Sequence, residues 1–245
     1  MFFFNKRTIL KDLIPDDHID FHSHLLFGID DGAKSFEDTL GLVQSLIGFG
    51  IKQFITTPHV MQHVWENSSA SIIARQNEVQ VLLQQHQIDV SFKAAAEYLM
   101  DDHFVQLFKK QPLLTLKDNY VLVEMSYINA PIQLYDILFD LQVAGYKPIL
   151  AHPERYTFYH HNFEEYRKLK KAGCLFQLNL LSVVGYYGEG VAKTAQKLLT
   201  EGLIDFASSD THHQKHIAAY DEKVLLKNSK PLEEAIANSV FFKEI

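Results

Sequence analysis

Short apolar runs alternate with longer amphipathic stretches along most of the chain. The short runs are His18 to His22, Gln53 to Thr57, Asp89 to Ala95, Tyr120 to Glu124, Pro148 to His152, Leu175 to Leu180 and Ile204 to Ser208. They are mostly apolar and often β-branched, the pattern of strands buried on both faces. Between them, Ser35 to Phe49, Ser68 to Gln85, Pro131 to Ala144, Asn162 to Ala172 and Val191 to Thr200 predict helices. Asp221 to Lys227 and Leu232 to Ala237 read as closing helices. Ser35 with Asp38 can form a capping box. Pro131 suits a helix start, and Gly145, Gly173 and Gly202 lie just beyond helix ends. Strand then helix, repeated about seven times, means a parallel sheet. A closed barrel and an open doubly wound sheet both fit. No glycine-rich loop follows the first run, which weakens the nucleotide-binding form of the open sheet.

Composition narrows the class. With 245 residues, the chain fits one large α/β domain or two small ones, and no break along it favours two. Hydrophobic residues at 47% and charged residues at 22% are ordinary for a soluble globular protein. The net charge of −7 argues against nucleic acid as the main partner. A single cysteine, Cys174, excludes an intrachain disulfide and reads as a core residue in a reducing compartment. No apolar run is long enough to span a membrane. The start, Met1-Phe2-Phe3-Phe4-Asn5-Lys6-Arg7, lacks the order of a signal peptide. The expectation is a cytoplasmic protein with an N-terminal extension, residues 1–17, whose phenylalanines pack on the domain or stay disordered, with contact to a membrane or a partner as the alternative.

Histidine is the anomaly: the chain has 13, several of them close to Asp or Glu. Placed on the predicted elements, they form a pattern. His22 and His24 follow the first strand and His59 the second. Glu97 follows the third, Glu124 ends the fourth and His152 ends the fifth. Asp210 and His212 follow the seventh. In a parallel α/β barrel, strand C-termini converge on one face and that face holds the active site. Each signal alone has a plain structural explanation. His59 after a proline suits a turn, and Asp210 suits a helix cap. Glu124 ends an apolar run, and a buried carboxylate requires partners. The recurrence at successive strand ends carries the reading. Imidazole with carboxylate and no thiolate suits Zn, Mn or Fe. Eight or nine ligands are too many for one ion, so two or three metals are expected. Asp31, in Asp30-Asp31-Gly32, is a further carboxylate on a tight turn. Arg155 can fork onto a phosphate. His160 and His161 read as exposed or lip residues, and His63, His86, His103, His213 and His216 lie on or near predicted helices and are not expected as ligands.

His22-Ser23-His24, the Gly28 to Ser35 segment, Thr57-Pro58-His59, Glu97, Glu124, His152-Pro153-Glu154-Arg155 and Asp210-Thr211-His212 resemble the PHP (polymerase and histidinol phosphatase) superfamily. Within it, they resemble the bacterial manganese-dependent protein-tyrosine phosphatases of capsule and exopolysaccharide systems. The resemblance covers about Asp20 to the C-terminus, hence a phosphatase domain over 18–245. It implies a distorted seven-stranded (β/α) barrel of TIM-like type and a site of two to three divalent ions, with Mn²⁺ foremost and Fe or Zn permitted. His22, His24, Glu97 and Asp210 would hold one ion. Glu97, Glu124 and His152 would hold a second, with Glu97 bridging. Asp31, His59 and His212 would hold a third. Arg155 would bind the substrate phosphate, and Arg155, Glu97 and Asp210 would serve catalysis. The implied substrate is the phosphotyrosine tail of a membrane tyrosine kinase that controls polysaccharide synthesis and export. The rivals are a histidinol-phosphate-type small-molecule phosphatase, a nuclease-like phosphodiesterase and a non-catalytic metal-binding module. Oligomeric state stays open.

Overall fold

Strand and helix alternate in the computed structural model as the hydrophobic pattern demands. It describes residues 8–243. The order is β1 (His18–Asp20), α1 (Phe36–Gly48), β2 (Ile51–Thr56), β3 (His59–Val60), α2 (Ser69–Gln85), β4 (Ser91–Ala94), β5 (Glu97–Leu99) and α3 (Asp102–Lys110). Then come β6 (Tyr120–Glu124), α4 (Leu134–Val143), β7 (Lys147–Ala151), α5 (Glu164–Lys171), β8 (Leu175–Asn179), α6 (Glu189–Thr200), β9 (Phe206–Ser208), α7 (Gln214–Ala219) and α8 (Lys230–Asn238). The capping box at Ser35 and Asp38 is present, and Gly145, Gly173 and Gly202 all have positive φ.

All strand pairs are parallel, in the orders β1-β2-β4 and β3-β5-β6-β7-β8-β9. β2 runs into β3 across Thr57-Pro58, and β4 into β5 across Ala95-Ala96. Each pair is one strand broken in the middle, which leaves seven strands around the ring. The proline at Thr57-Pro58 lacks the N–H a ladder needs.

The ring closes between β9 and β1 without a regular ladder. The Asp210 amide donates to His22 O (2.7 Å) and the His24 amide to Thr211 O (2.9 Å). Ser208 Oγ accepts from the Phe21 and His22 amides (3.1 and 3.0 Å) and donates to Asp20 Oδ1 (2.6 Å). Buried Asp20 also accepts from the Ser209 amide and hydroxyl. One parallel bridge, Ser23 with Thr211, and these side-chain bonds stand in for a regular ladder at the seam.

Leu122 and Glu124 are two residues apart on β6 and share a face, so apolar and acidic layers are stacked along it. The apolar layer takes Ile19, Phe21, Ile55, Ala95, Leu122, Ile149 and Ala151, with Phe242 stacked on Phe21 at 4.3 Å. A larger core packs the helices against the outside of the strands. Cys174 is buried there, as expected.

Three parts of the map differ from the pattern. α3 and α7 are additional helices. α3 is capped by Asp101, which accepts from the Phe104 amide, and buries Phe104 and Phe108 one turn apart. Asp221 to Lys227 is not a helix. Lys223 bridges to Ile9, the Val224 amide donates to Thr8 O and the Leu225 amide to Val183 O. Those partners hold the segment extended against residues 8–14, where Leu10 is fully buried. The Phe2 to Phe4 cluster lies outside the described residues. No helix among the described residues is long and apolar enough to cross a membrane.

Candidate metal centre

The strand C-termini bring His22, His24, Asp31, His59, Glu97, Glu124, His152, Asp210 and His212 into one cluster. Glu97, fully buried, is its middle. Its Oε2 lies 3.3 Å from His22 Nε2, 3.4 Å from His24 Nε2 and 3.2 Å from His59 Nδ1. Its Oε1 lies 3.2 Å from His152 Nε2. Asp210 Oδ1 is 3.3 Å from His22 Nε2 and 3.4 Å from His24 Nε2. His59 Nδ1 is 2.8 Å from Glu124 Oε1, and its Nε2 is 3.5 Å from Asp31 Oδ1. Asp31 Oδ1 is equally far from His212 Nε2. Four sets of donors lie mutually within 4.8 Å: His24, Asp31, His59 and His212; His22, Glu97 and His152; His22, His24 and Asp210; and His59, Glu97 and Glu124. This grouping differs in detail from the expected one, since His24 also faces Asp31 and His59 also faces Glu124.

Supporting bonds set which ring nitrogen faces inward. His22 Nδ1–H donates to Gln177 Oε1 (2.8 Å) and His24 Nδ1–H to Asp30 Oδ2 (2.9 Å). Each turns Nε2 toward the cluster, the arrangement metal-binding imidazoles use. His24 Nε2, His59 Nδ1, Glu97 Oε1 and Glu124 Oε1 are buried and lack hydrogen-bond partners. Buried polar atoms without partners are costly unless a ligand meets them. Burial alone would neutralise Glu97 and Asp210. The imidazoles of His22 and His59 at Glu97, and of His22 and His212 at Asp210, reverse that and hold both well below the usual carboxylate range. Burial likewise disfavours a charged His59, yet the Glu124 and Glu97 carboxylates lift it to about 9. The site draws positive charge, and divalent ions are a better match to converging lone pairs than protons are. The donor set therefore fits the metals that the sequence implies.

Backbone geometry aims these groups. His152 and Asp210 have φ of 36° and 49°, a conformation that non-glycine residues rarely adopt and that clusters at functional sites. The loop after His24 folds back through Gly28 N–H to Ala33 O and Ala33 N–H to His24 O. A Cβ on Gly32 would lie 2.1 Å from His24 O. Gly32→Ala should thus displace the Asp30 and Asp31 turn and cost about 3 kcal/mol or more. Thermal denaturation together with metal titration checks this; an unchanged melting point and affinity would refute it.

Arg155 stands beside the cluster. Its NH1 donates to Asp210 Oδ2 (2.8 Å), which also accepts from Asn179 Nδ2 (2.8 Å). The guanidinium carbon lies 4.8 Å from the Tyr127 ring centre and 4.2 Å from that of Tyr187. Glu154, fully buried, accepts from the Asn179 amide and the Ser182 hydroxyl, and burial pushes its carboxyl up to about 7. His160 donates from Nε2 to Glu154 O (2.8 Å), so it braces this turn rather than lying free at the lip. A cleft of about 410 Å³ opens over the cluster. Its polar side carries Asp31, His59, Glu124, His152, Arg155 and Asp210. Met61, Val64, Trp65, Leu99 and Ile128 are among its apolar lining. Sequence reasoning missed Gln177, Asn179, Tyr127, Tyr187 and Trp65, and read Asp30 only as a turn residue.

A parallel strand ring with imidazoles and carboxylates at its C-terminal mouth is an α/β barrel of the PHP, TIM-like type. The histidinol phosphate phosphatase of Lactococcus lactis shares that fold, with a TM-score of 0.50 at 12% identity over 84% of this chain and 91% of that one. The chain belongs to the capsular polysaccharide synthesis family CpsB/CapC, which it matches over residues 18–244. It is 29% identical over 198 residues to the tyrosine-protein phosphatase YwqE of Bacillus subtilis, covering 80% of this chain and 78% of YwqE. It is 28% identical over 201 residues to the tyrosine-protein phosphatase CpsB of Streptococcus pneumoniae, covering 80% and 83%. A crystal structure from the work on YwqE and CpsB, described as metal-dependent tyrosine phosphatases, superposes with a TM-score of 0.77 at 27% identity. It covers 92% of this chain and 88% of its own.

Proposed function

We propose that this protein is a metal-dependent protein-tyrosine phosphatase of capsule or exopolysaccharide synthesis, acting by direct hydrolysis without a covalent enzyme intermediate. The observation that carries this reading is the meeting of nine metal-capable side chains with Arg155 at the mouth of the barrel. Membership of the CpsB/CapC family and the names of its relatives support it. His22, His24, Asp31, His59, Glu97, Glu124, His152, Asp210 and His212 would hold two to three divalent ions, with Mn²⁺ foremost. Bound ions would supply charge for the phosphoryl oxygens and lower the pKa of a water toward neutrality. The domain spans 18–245, with 1–17 as an extension, and works in the cytoplasm. Its partner is the phosphotyrosine tail of a membrane tyrosine kinase, not nucleic acid.

The chain's own residues position the substrate. Asp210 fixes one nitrogen of Arg155, and the Tyr127 and Tyr187 rings lie close to the guanidinium, leaving the remaining N–H groups to meet a phosphoryl group. Gln177 and Asp30 hold His22 and His24 with Nε2 facing the cluster. The Trp65 wall takes the aryl ring. A phenolate leaving group, with a pKa of about 10, needs less proton assistance than an alkoxide would. Cys174 is no nucleophile, because burial pushes its thiol up to about 12.

The test is hydrolysis of a phosphotyrosine peptide by metal-stripped protein, with Mn²⁺, Fe²⁺, Zn²⁺ and Mg²⁺ restored one at a time. Release from the peptide, weak on histidinol phosphate, supports the reading. Turnover of histidinol phosphate alone overturns it. Trp65→Ala should raise KM for aryl phosphates about tenfold and leave kcat within about twofold. Steady-state kinetics on p-nitrophenyl phosphate would check this, and an unchanged KM would remove Trp65 from the binding wall.

A further inference from the structure

A second groove, of about 380 Å³, opens beside the cleft and shares Leu99 and Ser126 with it as walls. Buried Met100 and Ile137 contribute its apolar side, together with Pro131 and Ile132. Asp101 and Asp102, where α3 begins, are on its acidic side. Ile132 is fully exposed, at 103% of the reference surface, and Ile128 of the adjoining cleft is 85% exposed. Large apolar side chains presented this openly around a concave site suit a binding surface.

None of the hydrolytic chemistry uses this groove. A free aryl phosphate needs only the cleft. A polypeptide bearing the same group must leave the cleft across one of its walls, and the shared Leu99 and Ser126 make the groove a direct exit. An extended chain advances about 3.3 Å per residue, so a neighbour within a few positions can reach it. Its lining suits a large aliphatic or aromatic side chain, and the two aspartates disfavour an acidic one beside it.

We propose that the groove is a side-chain subsite for an extended phosphopeptide, taking a large apolar residue close to the phosphotyrosine. The proposal rests on the tyrosine-phosphatase reading and specifies its substrate class: polypeptide with an apolar flank, rather than isolated phosphotyrosine.

The experiment uses metal-loaded full-length protein and a peptide series in which leucine replaces serine at each of the three positions on either side of the phosphotyrosine. Wild type and Ile132→Arg are compared, with p-nitrophenyl phosphate as the short substrate and sedimentation of both proteins. Ile132 is fully exposed, so its replacement should leave the fold intact. The expected result is one register at which leucine raises kcat/KM about tenfold through KM. Ile132→Arg should erase that gain and leave p-nitrophenyl phosphate turnover unchanged. No leucine preference at any position, or a preference that survives Ile132→Arg, overturns the proposal. So does a variant that changes only the oligomeric state, which would make the groove an interface between copies. Absence of turnover on p-nitrophenyl phosphate by wild type is a different failure: it removes the phosphatase reading itself, and the subsite with it.

Discussion

Glu97→Gln should lower turnover about a thousandfold or more while the protein still folds. Glutamine keeps the shape of the side chain, so the packing around this fully buried position is undisturbed. What changes is charge and direction. Three imidazoles converge on Glu97 Oε2, at 3.2 to 3.4 Å, and a fourth lies 3.2 Å from Oε1. An amide nitrogen there presents hydrogens to those same rings. It also removes the negative charge closest to every donor set that contains Glu97. Metal content by elemental analysis should fall together with kcat, and circular dichroism should stay unchanged. A variant with full metal content and near-normal turnover would show that the centre does not depend on this carboxylate.

Arg155→Ala should cost about 10² to 10³ in kcat/KM on a phosphotyrosine peptide, with metal content retained. Retention is expected because Asp210 keeps its bond from Asn179 Nδ2 when the guanidinium is gone. Arg155→Lys should rescue little. An ammonium beside Tyr127 and Tyr187 cannot offer the two parallel N–H groups of a guanidinium. Cys174→Ser, by contrast, should leave turnover within about twofold, since that thiol is buried outside the cleft. A phosphatase that tolerates Arg155→Ala and fails on Cys174→Ser would run by another mechanism.

The strand ends were legible because a parallel barrel writes its active face at regular intervals. Glu124 announces itself as a charge ending Val121-Leu122-Val123, and His152 follows Ile149-Leu150-Ala151 in the same way. The supporting groups leave no such trace. Gln177 meets His22 across 155 residues, in the middle of a strand where glutamine has no special meaning alone. Tyr127 and Tyr187 read as ordinary aromatics until the fold brings both rings to one guanidinium. Asp30 has the opposite problem, since a turn already explains an aspartate before Asp-Gly, and its second bond to His24 is invisible in the sequence. The breaks at Thr57-Pro58 and Ala95-Ala96 look like strand ends in the sequence, which does not distinguish β3 and β5 from loops. Asp221 to Lys227 has helical spacing, but contacts with Thr8, Ile9 and Val183 outweigh it, a case of tertiary context overriding local preference.

The seam between β9 and β1 has a mechanical consequence. His22 and His24 leave the ring on one side of it and Asp210 on the other, 188 positions along the chain from His22, with their donor atoms converging. An ion held there would be a staple between the two ends of the sequence, closing a loop of nearly the whole domain. In the chain-entropy view, a cross-link over so long a span constrains the unfolded chain strongly, though slowly with length. The same ion would then fasten the barrel shut where its backbone pairing is thinnest, so that loss of metal and loosening of the ring become a single event.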